Sequence, residues 1–475
     1  MYLKKLHISN FRCFRDYTIE FAPGVTVLFG KNGSGKSTLI HAIHKALSFA
    51  FKNDKMGEGE ITLSSGFSSL KPNQYKKKED IVRDEKSGFP LPNINIHAEA
   101  DFQNANLKWD MYALTSTFAL QSSKYKTAYQ QLMSKIKETG TFPVFSYFSD
   151  SFPHISTKAS TLSKVQLSLR NLGYLGWDDE TAYSDLWITR LTKIWTMWDR
   201  SKMNVRHEEA ALANCENLKA SEIINENEYC EDVNLHRTRL EIAQKDFDKY
   251  NPEISSIREC LVNFSKKLPG IDVLDFFVSV YEEDGLCLET KDGQNPQFEK
   301  LPAGYKRIFY MALDIAYRSY ILNGNTDSEG IVVIDEIDLH LHPALEQVVL
   351  QCFQETFPNI QFIVSTHSPL VLTDIDTVTG RNKVMRMTPA CDAPEECRNI
   401  YGIDYNQMLE ENMGVRKRKP EFQKLFDKAW DEVAEKNTEA AKAIVDKLEA
   451  KKTPADQIEL IQLRAIINRI EIIGK

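Results

Sequence analysis

Apolar positions along the chain fall into two kinds of pattern, and the changes between them locate the elements. Residues 3–10 and 17–29 run apolar or alternate in short pieces and predict strands, the last ending in Val25, Thr26, Val27, Leu28 and Phe29. Leu39, Ile40, Ile43 and Leu47 then recur at helical spacing, so a packed helix follows a nine-residue interruption. Lys52 to Pro92 is polar and rich in Gly, Ser and Lys, which predicts surface strands and loops, with Lys76–Lys78 as a solvated turn. Asn93 to Leu114 alternates well enough for a hairpin, and Gln121 to Glu138 has a helical pattern. Thr141 to Asp150 is an apolar strand in which Val144, Phe145 and Phe148 read as core, while Tyr147 and Asp150 are candidates to line a site at its end.

The texture changes from about Ser160 to Val262, which is helical, charged and rich in Glu, Asn and Lys. Leu186, Trp187, Leu191, Ile194, Trp195 and Trp198 share one face there, and steps of three and four point to packing rather than to base stacking. Val273 to Glu289 returns to a strand pattern with E-E-D-G as its turn, and Leu301 to Leu322 predicts an apolar helix. Buried strands are expected at Gly330–Glu336 and Gln361–Leu372, around a helix over Ala344–Thr356. From Gly402 a run of helices carries Phe422, Leu425, Phe426, Trp430 and Val433, then Ala440, Ile444, Val445 and Leu448, and T-P-A-D at 453–456 caps a last helix through Ile472. The fold class is α/β. The boundaries read as 1–160 and 266–400 for two parts of one domain, 161–265 for a helical insertion, and 401–475 for a helical C-terminal region.

Composition narrows this picture a little. At 475 residues with 42% hydrophobic and 27% charged positions, the chain has the makeup of a soluble globular protein of two or three domains. A net charge of -8 argues against a nonspecific nucleic-acid coat and leaves room only for a local basic groove at 76–78 or 416–419. No apolar run approaches the roughly 18 residues of a membrane span, and M-Y-L-K-K-L-H-I-S-N has no export pattern, so a cytoplasmic protein without membrane contact is expected. Eight cysteines form no C-x-x-C pair and read as thiols rather than zinc ligands.

The chemistry is carried by three motifs. G-K-N-G-S-G-K-S-T, Gly30 to Thr38, lies between a strand and a helix and fits G-x-x-x-x-G-K-[ST]. Gly30, Gly33 and Gly35 let the backbone turn so that N–H groups cradle a triphosphate, with Asn32 and Thr38 in the same loop. Lys36 supplies a charge for the β and γ phosphates and Ser37 a hydroxyl for Mg²⁺, so ATP and Mg²⁺ are the expected ligands. In G-I-V-V-I-D-E, Asp335 suits a second contact to Mg²⁺ through water, and Glu336 suits the base that prepares the attacking water. Ser365, Thr366 and His367 end another strand, where His367 is placed to sense the γ-phosphate. N-F-R-C-F at 10–14 brings Arg12 and its aromatic neighbours toward the nucleotide. His340 and His342 alternate with leucines and read as surface or helix-entry residues, since no third metal ligand is suggested.

With these residues in view, the chain resembles the ABC-type ATPase heads of the RecF/SMC class, through N-F-R-C-F, G-K-N-G-S-G-K-S-T, V-V-I-D-E-I-D-L-H-L-H-P and V-S-T-H-S-P. The resemblance implies a P-loop ATPase head interrupted by a helical insertion. It also implies that an L-S-x-G signature of one subunit completes the ATP site of another. The matching positions are Leu301, Pro302, Ala303 and Gly304, followed by Tyr305 and Lys306, and Pro302 replaces the serine that would meet the γ-phosphate. Asp338 matches the D-loop carboxylate that faces the opposite subunit. A homodimer through the heads, extended to a higher oligomer, is therefore expected. No long heptad arm is visible, so an SMC-type tether is not expected.

The tail carries no acidic cluster of the Toprim kind and no H-N-H pattern. The chain thus looks like the ATPase component of Septu-type and related retron defence systems, which works beside a separate H-N-H nuclease. The ATPase of the PARIS anti-phage system, with a Toprim effector, is nearly as good a match. The resemblance implies an ATPase that controls a separate effector nuclease and leaves direct DNA contact open. Two rivals remain: a RecF-like repair ATPase that binds DNA itself, and a scaffold in which nucleotide is structural and not turned over.

Overall fold

The computed structural model describes residues 1–52, 62–65, 67, 69–84, 86–149, 169–177, 184–221, 225–279, 285–388, 393–398, 400–415, 418–451 and 458–473. Contacts divide the chain into two units, Met1–Gly402 and Ile403–Lys475.

The first unit is built on two sheets. Strands β1 (Tyr2–Phe11), β2 (Phe14–Glu20), β4 (Asn93–Phe102) and β5 (Ala105–Leu114) form an antiparallel sheet in the order β2-β1-β4-β5. Alternate burial along β4 and β5 shows why the hairpin has this register: one side chain in two turns inward. The second sheet has the order β12-β11-β3-β10-β9-β6, from β3 (Val25–Gly30), β6 (Val144–Phe148), β9 (Gly330–Ile334), β10 (Ile360–Ser365), β11 (Lys383–Met387) and β12 (Glu395–Glu396). All neighbours in it are parallel except β11 and β12. β6, β9 and β10 are buried along their whole length, as strands covered on both faces must be. One strand, β10, stands between β3 and β9, so the ends of all three open onto one cleft. A third pair, β7 (Val273–Val278) and β8 (Leu286–Thr290), is antiparallel; residues 282–284 of its expected E-E-D-G turn lie outside the described residues.

Helix α1 (Lys36–Leu47) follows β3, and α2 (Lys126–Thr139) packs on β5. The polar stretch after α1 is less superficial than its composition suggests: Leu63, Phe67, Leu70 and Tyr75 are buried, while Lys77 and Lys78 stand exposed. Asp150 lies outside the described residues, and Tyr147 is buried against the stacked ring of His44, 4.6 Å away.

The insertion departs from expectation. Helices α3 (Ser184–Ala220) and α4 (Glu226–Ser265) run 37 and 40 residues and pack against each other. At about 1.5 Å per residue this is an arm roughly 55–60 Å long. Along α4 the shielded positions are Val233, His236, Leu240, Ala243, Phe247 and Tyr250, steps of three and four that make a heptad seam. The expected absence of a heptad arm is therefore corrected. Polar members of the seam hid it: buried Glu208 accepts from His236 Nδ1 at 2.6 Å if that nitrogen carries the proton. The tryptophans pack at the root, as their spacing suggested, with Trp187 stacked on Tyr317.

Helix α5 (Ala303–Asn323) ties the root to the sheet. Its buried Asp314 accepts from Ser146 Oγ of β6 at 2.7 Å, from Trp187 Nε1 of α3 at 2.7 Å and from Arg318 Nε at 2.6 Å. Helices α6 (Pro343–Thr356) and α7 (Pro369–Thr373) complete this unit. His342 is the N-cap of α6, its Nδ1 accepting from Ala344 N at 3.3 Å, which accounts for one of the two alternating histidines.

The second unit packs α8 (Pro420–Ala434), α9 (Thr438–Ala450) and α10 (Ile458–Ile473) around Phe426, Ala429, Ile444, Leu448, Leu460 and Leu463. Arg418 pairs with Glu459 and lies over the Phe426 ring. Arg416, Lys417 and the expected T-P-A-D cap lie outside the described residues.

Burial of α1 has a measurable effect. It pushes the His44 imidazole down to about 3, with Lys45 and His41 adding to the shift. The folded chain keeps His44 neutral below pH 6.5 while the unfolded chain takes up a proton, so stability is lost as pH falls from about 6.5 toward 3, by at most about 1.4 kcal/mol per unit. Urea unfolding at pH 7 and pH 5 should show a smaller loss in His44→Phe than in the wild type; equal losses would remove His44 as the source.

Candidate functional site

The cleft at the ends of β3, β10 and β9 is assembled by the loop before α1. Gly33 and Gly35 have φ of 80° and 91°, left-handed values that favour glycine, and they aim the loop's N–H groups inward. Close packing adds a second requirement at two positions. A Cβ on Gly30 would lie 2.3 Å from the Met387 carbonyl, and one on Gly35 would lie 2.8 Å from the Phe14 ring and 3.1 Å from Cys13 Sγ. The β1–β2 turn thus lies against the phosphate loop. Arg12, which it carries, donates Nε to the buried Asp80 at 2.9 Å, and Lys45 of α1 reaches the other carboxylate oxygen at 3.1 Å. Burial disfavours the charge on Asp80, yet Lys45 beside it and hydrogen bonds from Lys76, Arg12 and Lys45 hold its carboxyl below the usual range.

Lys36 is buried, its Nζ turned back onto the carbonyls of Gly30 at 2.9 Å and Lys31 at 3.3 Å. Burial holds its ammonium below the usual lysine range, and Asp335, Glu336 and Asp338 pull in the opposite direction. Asn32 and Ser37 are exposed at the loop, Thr38 is half-buried, and the buried hydroxyl of Ser34 has no hydrogen-bond partner. A cradle of left-handed glycines with a lysine folded onto its own carbonyls and an orphaned hydroxyl fits a polyphosphate.

The acidic edge is formed by the turn after β9. Asp335 is buried, and its Oδ1 accepts from Ser365 Oγ of β10. The same Ser365 oxygen accepts from Glu336 N at 2.8 Å. Glu336 adopts φ 53°, a costly conformation for a non-glycine residue, and its half-exposed carboxylate stands 4.0 Å from His367 Nε2. Asp338 accepts from Thr366 Oγ1 at 2.7 Å and from His367 N at 3.2 Å, so within one chain this carboxylate fixes the histidine's backbone. Ser37 and Asp335 are the oxygen donors suited to Mg²⁺.

The signature residues do not join this cluster. Pro302 is the exposed N-cap of α5, Ala303 beside it is exposed, and Leu301 and Gly304 are buried. Leu301, Pro302 and Tyr305 line a separate cavity of about 630 Å³ with Asp272, Lys291 and Lys300. Tyr305 donates its hydroxyl to the Pro269 carbonyl, and Lys306 pairs with Glu299 at 2.9 Å. Gly304 abuts the D-loop, where a Cβ would meet the His340 carbonyl at 2.7 Å.

Asp80 and Ser34 were not foreseen from sequence, and Ser365 was named in its motif without a role. Asp80 and Ser365 act through contacts far along the chain, and Ser34 is one unmarked position of the loop motif.

Similarity to known proteins follows the same head. A family model described as an AAA ATPase domain matches residues 1–372. The Retron Vc95 probable ATPase of Vibrio cholerae serotype O1 biovar El Tor is 26% identical over 380 residues, covering 74% of this chain and 67% of that protein. The Retron Ec83 probable ATPase of Escherichia coli is 24% identical over 452 residues, covering 88% and 77%. The Septu protein PtuA of Bacillus mycoides (strain KBAB4) is 31% identical over 194 residues, covering 38% and 27%.

Replacing Ser365 by alanine removes the donor to Asp335 and the acceptor of Glu336 N together. At about 1–3 kcal/mol for such buried groups, kcat should fall roughly ten- to hundredfold while ATP affinity stays within about twofold. Steady-state phosphate release beside fluorescent-nucleotide titration checks this, and an unchanged kcat would exclude the arrangement.

Proposed function

We propose, from the premise that this chain belongs to the AAA ATPase domain family and is an ATPase, that it hydrolyses ATP in sites shared between two heads and thereby controls a separate effector nuclease in anti-phage defence. The defence setting is supported by the retron and Septu relatives, two of which are themselves described as probable ATPases. An H-N-H effector is favoured over a Toprim one, in keeping with the motifs read in the sequence.

One observation carries the shared site. Lys36, Asp335, Glu336 and His367 converge on one cleft, whereas Pro302 and Ala303 stand exposed beside a different cavity of the same chain. A cleft with phosphate ligands, metal donors and a base but, among the described residues, no opposing donor reads as half of a site. An exposed helix start with no ligand in its own chain is the complementary half, and a second copy supplies it.

The roles follow from position. Gly33, Ser34 and Gly35 hold the phosphates through loop donors, and Lys36 leaves its carbonyls to meet the β and γ oxygens. Mg²⁺, held by Ser37 and Asp335, would offset phosphate charge. Glu336 orients a water and draws off its proton, and His367, held by Asp338 through its backbone, contacts the γ-phosphate. Pro302 places an exposed ring where a serine would offer a hydroxyl, which favours slow turnover and long-lived closed heads.

Glu336→Gln should bind ATP normally, lose turnover by at least about a hundredfold and remain a dimer in ATP and Mg²⁺ by light scattering. Unchanged hydrolysis would remove Glu336 as the base, and a mass insensitive to ATP would remove the shared site. Copurification of the neighbouring gene product, with its nuclease activity followed as ATP is exhausted, tests control of the effector; salt-dependent DNA binding by the chain alone would favour the repair reading instead.

A further inference from the structure

Arg307 is buried at 1% exposure in the second turn of α5, five residues after Pro302. Its Nη2 donates to the carbonyls of Glu336 at 3.1 Å, Asp335 at 3.2 Å and Ser149 at 3.5 Å. One guanidinium nitrogen thus gathers the backbone at the ends of β9 and β6. These carbonyls lie where the chain leaves the sheet and turns, and a buried carbonyl there is costly without a donor; that of Glu336 also accepts from Leu339 N at 3.1 Å.

The geometry points to Arg307 as the positioning residue for Glu336. The Glu336 backbone is left-handed, a state a glutamate does not hold unaided. Two side chains from other elements hold the residue by its backbone from opposite ends: Ser365 Oγ receives its N–H at 2.8 Å, and Arg307 donates to its carbonyl at 3.1 Å, beside Leu339 N of the same turn at 3.1 Å. Without Arg307 the carbonyl keeps only Leu339 N, a donor from within the same turn, so the turn loses its tie to α5 and the carboxylate its fixed place 4.0 Å from His367. Arg307 therefore acts on the reaction through Glu336, without touching nucleotide.

The residue is also fixed to what lies before it. Gly304, one turn earlier, has no room for a Cβ against the His340 carbonyl, at 2.7 Å. The first turns of α5 and the 335–341 turn consequently move as one piece.

This inference rests on Glu336 serving as the base, and the experiment separates the two. Arg307→Lys and Arg307→Gln, each retaining a donor, are compared with wild type and with Glu336→Gln. Circular dichroism and melting temperature report folding, fluorescent-nucleotide titration reports binding, and single-turnover phosphate release reports the chemical step. The expected result is a folded Arg307→Lys with ATP affinity within about twofold and single-turnover rate down at least about tenfold, equivalent to about 1.4 kcal/mol. Combined with Glu336→Gln, it should cause no further loss of rate.

Either folded variant with a wild-type rate overturns the proposal while Glu336→Gln remains inactive. Loss of ATP affinity in proportion to rate also overturns it, since that marks a general collapse of the cleft. If Glu336→Gln itself turns over normally, the base assignment fails first.

Discussion

Two acids in succession follow strand β9, and seating both at one edge of a cleft is the constraint around which the head is arranged. The chain meets it by separating them in depth. Asp335 is drawn under the Ser365 hydroxyl, while the left-handed turn lifts the Glu336 carboxylate to partial exposure. Lys36 answers the combined charge: burial holds its ammonium below the usual lysine range, and Asp335, Glu336 and Asp338 counter that shift. Ser365 serves both acids with one oxygen, so β10 and β9 cannot shift relative to each other without disturbing Asp335 and Glu336 together.

Much of the cleft was legible because its residues are neighbours in sequence. Gly30 to Thr38 encode their own conformation, and D-E and S-T-H fall at the ends of apolar runs, which parallel strands bring to one edge. Arg307 was visible only as a basic residue after Gly304, because its partners lie 28, 29 and 158 residues away. Asp80 was hidden for the same reason, inside a stretch whose lysines suggested nothing but solvent. That stretch has few apolar residues, yet Leu63, Phe67, Leu70 and Tyr75 each anchor it separately.

The arm escaped notice for a different reason. Its seam holds Ser201, Glu208 and His236 at shielded positions, so the hydrophobic pattern fades although the heptad geometry persists. The tryptophan face at its root carries a strong apolar signal with ordinary helical spacing, and it reads as one packed helix rather than as the foot of two long ones. A polar pair within such a seam fixes which residues face each other, at some cost in stability.

The connection of that arm to the sheet has a mechanical meaning. Trp187 is bonded to Asp314, on the same helix that begins at Pro302, while the free end of the hairpin lies on the order of 50 Å farther out. With so short a foot and so long a rod, a tilt of about five degrees at the foot sweeps the far end through roughly 5 Å. A rotation at the Trp187–Asp314 foot too slight to part that hydrogen bond is in this way magnified, by the length of the rod alone, at its far end.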